Sequence, residues 1–356
     1  MSIAAERNPD SSPDPTPDSA PDPAQDAVQK LPLDSQRPAP AALPLVAIVG
    51  PTASGKSTLG ISLARRFGGE VLACDSTQVY RGFDIGTAKP MLQERGDIPH
   101  HLLDLVEPDF PFTAGEYRAR AVAVLDDLRE RSRLPILTVG TGLYLRALLE
   151  GLADAPARSE ELRARLENLA ESRGLDHLHG LLLRLDRAAA ERIGPRDRPK
   201  MIRAIEVRLL TGRTITEIHR APRPRLEGYR AIKIGLQPPR AALYERIERR
   251  VHTMIEHGWL EEVAVLTRNG IPVAAKPFDF IGYRELRAHL EGAITLAAAT
   301  KEISQATRRY AKRQLTWFRK EPSVHWLPGF GDDPAVVAAA AKFIAAQLNA
   351  NTLPAG

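Results

Sequence analysis

The chain has 356 residues, a hydrophobic content of 43% and a formal net charge of +5, a length that predicts a core with a second unit or an insertion. A single cysteine, Cys74, excludes a disulfide framework and a cysteine-based zinc finger and suggests a reducing compartment. No apolar run is long enough to span a bilayer and no secretory signal pattern is present, so we expect a cytoplasmic protein without a membrane partner.

Local composition separates the first 43 residues from the rest. They are rich in Pro, Asp, Ser and Ala and hold few large apolar side chains. Such a segment cannot offset its ordering entropy by burial, so it predicts a disordered tail. The first 44 residues carry a formal charge of −4, which leaves +9 for the remainder. A basic body fits a nucleic-acid or other polyanionic partner.

A glycine-rich loop follows the first predicted strand. The apolar run at residues 45–49 leads into residues 50–57, which match G-x-x-x-x-G-K-[ST], and apolar residues then recur at helical spacing. In such a loop, backbone N–H groups face a phosphate at a helix N-terminus, the lysine reaches the outer phosphates and the serine can bind Mg²⁺. The pattern predicts a polyphosphate or diphosphate ligand. Its predicted binding residues are Gly50, Pro51, Thr52, Ala53, Ser54, Gly55, Lys56 and Ser57.

Asp75 ends the next apolar run, at residues 70–74. Ligands of open parallel sheets lie beyond the carboxyl ends of the strands, so we expect Asp75 near the phosphate site. There it could bind Mg²⁺, act as a base or cap the following segment. Residues 78–90 then form a polar, glycine-containing loop of the kind that carries substrate contacts, and residues 100–105 predict another short strand.

A further buried strand is predicted at residues 134–139, after a helix at residues 114–131. This strand ends in Gly140-Thr141-Gly142 instead of a carboxylate. An ATPase usually places a Walker-B Asp at the end of such a strand to help hold Mg²⁺, so its absence argues against ordinary nucleotide hydrolysis. Thr141 could instead contact a substrate hydroxyl or phosphate.

The second half of the chain begins with helices. Residues 159–220 are nearly continuous helix rich in arginine, and strand character returns at residues 229–236, which predicts a helical insertion in an α/β core. A long amphipathic helix at residues 241–268, broken near Gly258, follows. Residues 307–320 interleave Arg and Lys with aromatic residues, a pattern that fits nucleic-acid contact and a solvated face equally well.

Several stretches together resemble one family, the tRNA dimethylallyltransferases of bacterial type, also called tRNA isopentenyltransferases. They are collinear over roughly residues 45–330, and the ordered set is far more specific than the glycine-rich loop alone. The matching stretches are residues 50–57, 75–80, 84–90, 140–144, 282–285 and 310–318.

The resemblance implies an α/β fold, with a P-loop NTPase-like parallel sheet core and an inserted all-helical domain. The predicted segments are a tail at residues 1–43, the first part of the core at 44–155, a helical insertion that contacts tRNA at 156–228, the second part of the core with basic helices at 229–330, and a C-terminal helix and tail at 331–356.

By the same resemblance, the chain would transfer a dimethylallyl group from dimethylallyl diphosphate to the exocyclic amine of adenosine 37 in tRNA. The glycine-rich loop would hold the diphosphate instead of ATP, with Mg²⁺ as cofactor and Ser57 as its ligand. The catalytic residues would be Asp75, as general base, together with Thr52 and Arg250 on the diphosphate side.

The expected macromolecular partner is the anticodon stem-loop of tRNA, bound by a monomer. Family members contact tRNA at positions matching Asp75, Ser76, Thr77, Gln78, Thr141, Arg163, Pro199, Lys200, Met201, Ile202 and Arg203. Two departures from the family pattern stand out: Val139 replaces a common glycine, and residues 198–203 replace a commoner Gln-Arg pair.

Three other functions use a similar loop: a small-molecule kinase, a nucleotide switch that binds RNA, and an adenylate isopentenyltransferase that modifies free nucleotide. The helical insertion and the basic helix at residues 307–320 favour a macromolecular acceptor over the last of these.

Overall fold

A parallel sheet of six strands forms the centre of the computed structural model, which describes residues 42–350. The strand order is β3-β2-β4-β1-β5-β6, and every neighbouring pair is parallel. The strands are Leu43–Val49 (β1), Gly69–Cys74 (β2), His100–His101 (β3), Leu134–Val139 (β4), Tyr229–Leu236 (β5) and Val324–Leu327 (β6). The predicted tail lies outside the described residues, apart from residues 42 and 43.

Helices cover both faces of the sheet. Successive residues of β1 point to opposite faces, so Leu45, Ala47 and Val49 enter one hydrophobic core and Val46 and Ile48 enter the other. The helices are Lys56–Phe67 (α1), Leu92–Arg95 (α2), Ala114–Glu130 (α3), Gly142–Glu150 (α4), Glu160–Arg173 (α5), Leu175–Leu185 (α6), Arg187–Arg192 (α7), Arg198–Thr211 (α8), Ile215–Arg220 (α9), Arg240–Glu256 (α10), Trp259–Arg268 (α11), Tyr283–Leu290 (α12), Leu296–Phe318 (α13) and Pro334–Asn349 (α14).

The two cores use different helices. One core is covered by α3, α4 and α11 to α13, and the other by α1 and α14. The C-terminal helix α14 therefore packs on the same face of the sheet as α1, the helix that follows the glycine-rich loop. Among residues 42–350, no helix is both long and apolar enough to cross a membrane.

Two strand predictions differ from the structure. The strand predicted at residues 100–105 ends at His101, because Leu102 and Asp104 have φ angles of 65° and 52° that turn the backbone out of the sheet. The edge strand β6 was not predicted, since its four residues carry too short a pattern. The predicted break in the long helix is confirmed: α10 and α11 are separated at Gly258, which has a φ of 95°.

The helical insertion, α5 to α9, has its own hydrophobic core, built from residues 153–218. Four of its helices begin at a side chain that accepts a hydrogen bond from a first-turn N–H group, which satisfies a donor that the helix itself leaves free. These residues are Ser159, Asp186, Asp197 and Thr214.

The chain enters and leaves the insertion at one place. Leu226 N donates to Leu149 O over 3.1 Å, and the Arg118 guanidinium donates to the carbonyls of Leu148 and Pro224. The two connections touch so closely that a Cβ atom on Gly151 would lie 2.3 Å from the Pro224 oxygen. We call this meeting point the crossing.

Candidate active site

The glycine loop, residues 50–57, joins the end of β1 to α1. Ala53 and Gly55 have φ angles of 63° and 87°, a left-handed conformation that turns successive N–H groups toward one side of the loop. Gly55 is the N-cap of α1, and no side chain within residues 42–350 caps this helix. The first N–H groups of α1 therefore remain available to an anion.

Lys56 folds back over the glycine loop. Its amino group donates to the carbonyl oxygens of Gly50 and Pro51 over 3.0 and 2.8 Å. Burial lowers the pKa of this amino group to about 8, an effect opposed by the charge of Asp75 and reinforced by that of Arg250. The site thus concentrates positive charge that a bound anion would stabilise.

Asp75 directly follows β2 and is held on one side only. Its Oδ1 accepts hydrogen bonds from the N–H and the hydroxyl of Thr77, over 2.9 and 2.7 Å. Its Oδ2 packs against Gly140, where a Cβ atom would lie only 1.8 Å away. Among the described residues, no hydrogen bond reaches Oδ2, so this oxygen can accept a proton from a ligand.

Two adjoining cavities place the glycine loop and Asp75 together. They have volumes of about 540 and 350 Å³. The residues that line both are Thr52, Ala53, Lys56, Asp75, Thr87, Ala88, Gly140 and Arg250. Ser57 and Gln78 line the larger cavity, and Ser76 and Thr77 the smaller. The structure therefore agrees with the sequence prediction that Asp75 lies near the glycine loop.

Arg250 projects from α10 into both cavities. It makes no hydrogen bond or ion pair with another residue in the range 42–350, and burial together with nearby Arg246 lowers its pKa. Arg246, one turn earlier, is already engaged: it forms a paired hydrogen bond with Asp332 over 2.7 and 3.0 Å and stacks on Phe330. Of these two arginines, Arg250 is the one available to an anionic ligand.

The smaller cavity has an apolar end. It is lined there by Ile247, Val251, Met254, Trp259, Phe280 and Ile281. The Trp259 ring is fixed between two glycines, since Cβ atoms on Gly86 and Gly282 would lie 2.2 and 1.9 Å from it. The site therefore joins a cationic, N–H-rich end to a rigid apolar end.

The loop at residues 84–90 closes one side of the cavities. The Glu262 carboxylate accepts hydrogen bonds from the backbone N–H groups of Asp84, Ile85 and Gly86, at 2.8 to 3.4 Å. The buried amino group of Lys89 binds the carboxylate of Asp84, 2.7 Å away. These contacts hold the loop in a single path beside the glycine loop.

Comparisons with known proteins give one family for this architecture. Residues 78–321 match the family model "IPP transferase", and residues 43–104 match "Isopentenyl transferase". The tRNA dimethylallyltransferase of Koribacter versatilis is 51% identical over 301 residues, which cover 84% of this chain and 97% of that protein. The chain belongs to the tRNA dimethylallyltransferase family.

Solved structures of this family share the fold. The tRNA isopentenylpyrophosphate transferase of Bacillus halodurans aligns with a TM-score of 0.64 at 39% identity, over 86% of this chain and 97% of that one. A eukaryotic dimethylallyltransferase acting on tRNA aligns with a TM-score of 0.72 at 25% identity, over 88% of this chain and 81% of that one. The predicted fold class, a P-loop NTPase-like α/β core, is confirmed.

Residues predicted to contact tRNA in this dimethylallyltransferase family fall into two groups. Those next to Asp75 form one network, in which Thr141 Oγ1 accepts from Ser76 N over 2.9 Å and donates to Ser76 Oγ over 3.1 Å. The Gln78 amide donates to the carbonyls of Thr87 and Ala88, both over 3.1 Å. Ser76, Thr77 and Gln78 line the cavities, and Thr141 lies directly behind Ser76 through these hydrogen bonds.

The second group lies in the helical insertion. Arg163 and Arg203 share one fully buried carboxylate, that of Glu206, at 3.4 and 2.6 Å. Arg163, predicted to contact tRNA, has only 18% of its side chain exposed. The arginines sit 40 positions apart in the sequence, and the tertiary fold brings them together.

Other members of that second group differ in exposure. Pro199 and Lys200 are exposed at the start of α8. Met201 and Ile202 are fully buried in the core of the insertion. Their side chains point into that core, so the tRNA contact predicted for these two residues stays a prediction and would have to involve their backbone. The helical period of α8 turns them inward.

Sequence reasoning assigned no role to two groups that reach the site. On α13, Gln314 accepts from Thr52 N over 2.7 Å and donates to Gly140 O over 2.8 Å. The Tyr310 hydroxyl, one turn earlier, donates to the same Gly140 oxygen over 3.3 Å. Both residues lie in a stretch typical of the family, which is the only sequence signal that could have drawn attention to them.

No cluster of three or more His, Cys, Asp or Glu side chains is placed to hold a metal ion in the part of the chain that the structure describes. A metal at this site would therefore depend on oxygen atoms of its ligand as well as on protein groups.

Proposed function

We propose that this chain transfers a dimethylallyl group from dimethylallyl diphosphate to the exocyclic amine of adenosine 37 in tRNA, releasing diphosphate. The observation that carries the proposal is that Asp75 and the glycine loop line the same two cavities, with no hydrogen bond from residues 42–350 to Oδ2 of Asp75. Membership of the tRNA dimethylallyltransferase family supports the choice of substrates.

The glycine loop would hold the departing diphosphate. As the bond between the allylic carbon and the phosphate oxygen breaks, negative charge grows on the diphosphate. Gly55, Lys56 and Ser57 at the start of α1 line the larger cavity, where that charge would develop. Thr52 and Arg250 line it as well. The N–H groups of the loop and the side chains of Thr52, Lys56 and Arg250 would interact with the charge. Their role is to stabilise the leaving group, and none of them reacts covalently.

The oxygen groups of the site fit Mg²⁺ as a cofactor. Mg²⁺ is usually held by one or two protein oxygens together with substrate phosphates. The Ser57 hydroxyl and the Asp75 carboxylate line the same cavity, and Ser57 would be the direct ligand. A bound Mg²⁺ would neutralise part of the charge on the diphosphate.

The apolar end of the smaller cavity would receive the dimethylallyl group. Val251, Met254, Trp259 and Phe280 offer it carbon surface, and burial there keeps water away from an allylic carbon that gains positive charge. Exclusion of water matters because water would otherwise compete with the adenine amine as nucleophile.

Asp75 would act as the general base. The amine nitrogen of adenosine forms a bond to the allylic carbon while the carbon–oxygen bond breaks, and the amine proton passes to Oδ2 of Asp75. Thr77 holds the other carboxylate oxygen, so the base keeps one orientation. The adenine must leave its stack in the RNA to reach this point.

The acceptor would be the anticodon stem-loop of tRNA, bound between the core and the helical insertion. Exposed positive charge for the RNA backbone comes from Arg309, Lys312 and Arg313 on α13. On the insertion, Arg163 and Arg203 are paired with Glu206, and Lys200 is paired with Asp197. We expect a monomer to be the acting unit, because the tRNA is itself the large partner. The reaction would take place in the cytoplasm.

The decisive experiment mixes labelled dimethylallyl diphosphate and Mg²⁺ with an unmodified tRNA that has adenosine at positions 36 and 37. Free AMP is offered in a parallel reaction. We expect label on the tRNA and none on AMP. Label on AMP alone would indicate an adenylate isopentenyltransferase, and label on neither would refute the proposal.

A substitution at Asp75 tests the base directly. Asp75→Asn keeps the size of the side chain and one acceptor for Thr77 but removes the proton acceptor. We expect transfer to fall by a factor of about 10² to 10⁴ while binding of diphosphate stays near that of the wild type. Near-normal single-turnover transfer would remove Asp75 from this role.

A further inference from the structure

Gln314 connects two loops that carry different parts of the reaction. It lies on α13 with 6% of its surface exposed. Its Oε1 accepts from Thr52 N in the glycine loop over 2.7 Å, and its Nε2 donates to Gly140 O over 2.8 Å. These two partners lie 262 and 174 positions away in the sequence.

Gly140 lies between the glycine loop and Asp75, which makes its hydrogen bond to Gln314 important. In the sheet, β4 lies between β1, which leads into the glycine loop, and β2, which leads into Asp75. Gly140 follows β4, and its N–H donates to Cys74 O over 3.0 Å. The Asp75 carboxylate packs directly on Gly140. The contact with Gly140 therefore sets the position of the Asp75 carboxylate relative to the glycine loop.

We propose that Gln314 is a positioning residue that fixes the distance between the diphosphate held by the glycine loop and the Asp75 base. This inference rests on the function proposed above. Gln314 lines the smaller cavity but makes no hydrogen bond to the Asp75 carboxylate within residues 42–350; it acts through Thr52 and Gly140.

An amide is the side chain that this position requires. The Thr52 N–H can only donate and the Gly140 oxygen can only accept, so the bridging group must offer one acceptor and one donor. A carboxylate would turn a second oxygen toward the Gly140 oxygen, and an amine or guanidinium would have nothing to accept the Thr52 hydrogen. The same two partners fix the amide's orientation.

Two substitutions of Gln314 with similar size test the proposal. Gln314→Met removes both hydrogen bonds, and Gln314→Glu keeps the acceptor for Thr52 N but loses the donor to Gly140 O. Gln347→Met is the matched control. The side chain of Gln347, on α14, also accepts a hydrogen bond, from Arg230 over 3.1 Å, but Gln347 does not line either cavity. Thermal unfolding of all three variants reports whether each is folded.

The measurements are the single-turnover rate of dimethylallyl transfer to tRNA, with both substrates saturating, and the affinity for inorganic diphosphate with Mg²⁺ by calorimetry. A displacement of about 1 Å can slow a reaction by about 100-fold. We therefore expect both Gln314 variants to lose about 10- to 100-fold in rate with less than about threefold loss in diphosphate affinity. Gln347→Met should keep the wild-type rate.

Two results would overturn the inference. One is a folded Gln314→Met or Gln314→Glu variant with a transfer rate within about threefold of the wild type. The other is a loss of diphosphate affinity equal to the loss of rate, which would make Gln314 a part of the phosphate site alone. Absence of transfer by the wild-type protein would instead contradict the proposed function, and this inference with it.

Discussion

Replacing Gly140 by alanine tests whether the exact place of the Asp75 carboxylate controls the reaction. The φ angle of Gly140 is not in the left-handed region, so alanine fits its backbone. The added Cβ atom would lie 1.8 Å from Oδ2 and 2.8 Å from Cγ of Asp75, whereas such contacts rarely fall below 3.0 Å. The Asp75 carboxylate must therefore move by about 1.2 Å. Rotation about the Cβ–Cγ bond of Asp75 would move Oδ2 but not Cγ, so it cannot relieve the second contact.

That movement has two consequences of different size. It disturbs the hydrogen bonds from Thr77 and overpacks the site, which should lower the free energy of unfolding by about 1 to 3 kcal/mol. It also takes the base out of line with the adenine amine, which should lower the single-turnover rate of transfer by about 100-fold. Diphosphate affinity should change little, since Gly140 donates no hydrogen bond to the glycine loop.

The assay is single-turnover transfer from labelled dimethylallyl diphosphate to unmodified tRNA, with unfolding by urea measured on the same preparation. Gly180→Ala is the control, because a Cβ atom there would meet no atom of the described part of the chain within 4 Å. A folded Gly140→Ala variant that transfers within about threefold of the wild-type rate would refute the view that Gly140 locates the base.

Three further predictions each concern a single residue. Because the pKa of Lys56 is lowered to about 8 from 10.5, the folded protein binds fewer protons than the unfolded chain between these values, and this residue makes the free energy of unfolding rise with pH there. Diphosphate should restore the charge, so calorimetry at pH 8.5 in two buffers should show proton uptake; equal heats in both buffers would argue against it. Arg163→Ala should weaken tRNA binding at physiological salt, measured by filter binding, and leave the diphosphate affinity unchanged. An unaltered tRNA affinity would contradict the prediction that Arg163 contacts tRNA. Gly180→Ala lies in the interior of α6 and should raise the free energy of unfolding by about 0.5 to 1 kcal/mol in urea, and a fall would contradict the helical assignment.

The parts of the site that lie in one short stretch could be predicted from the sequence. The glycine loop carries its strand, turn and helix signals within about 20 residues, and Asp75 is placed by the rule that ligands lie at the carboxyl ends of parallel strands. The helical insertion could be predicted too, because strand signals vanish at residues 159–220 and return at residues 229–236.

The parts that depend on distant partners could not be predicted. Gln314 is an ordinary polar residue on a basic helix until the fold brings it to Thr52 and Gly140. Glu206 resembles one more charge on a solvated helix, yet it is fully buried beneath two arginines. Met201 is predicted to contact tRNA by resemblance alone, and no sequence pattern of that kind shows that its side chain is buried in the core of the insertion.

The crossing, where Arg118 joins the two connections of the helical insertion, makes the insertion a replaceable module. Both connections reach the core at a single point, so residues between them could be exchanged without changing the order of the strands. The insertion has its own hydrophobic core, and so does the sheet. No residue of the insertion lines the two cavities, so such an exchange would leave the cavity residues of the core in place.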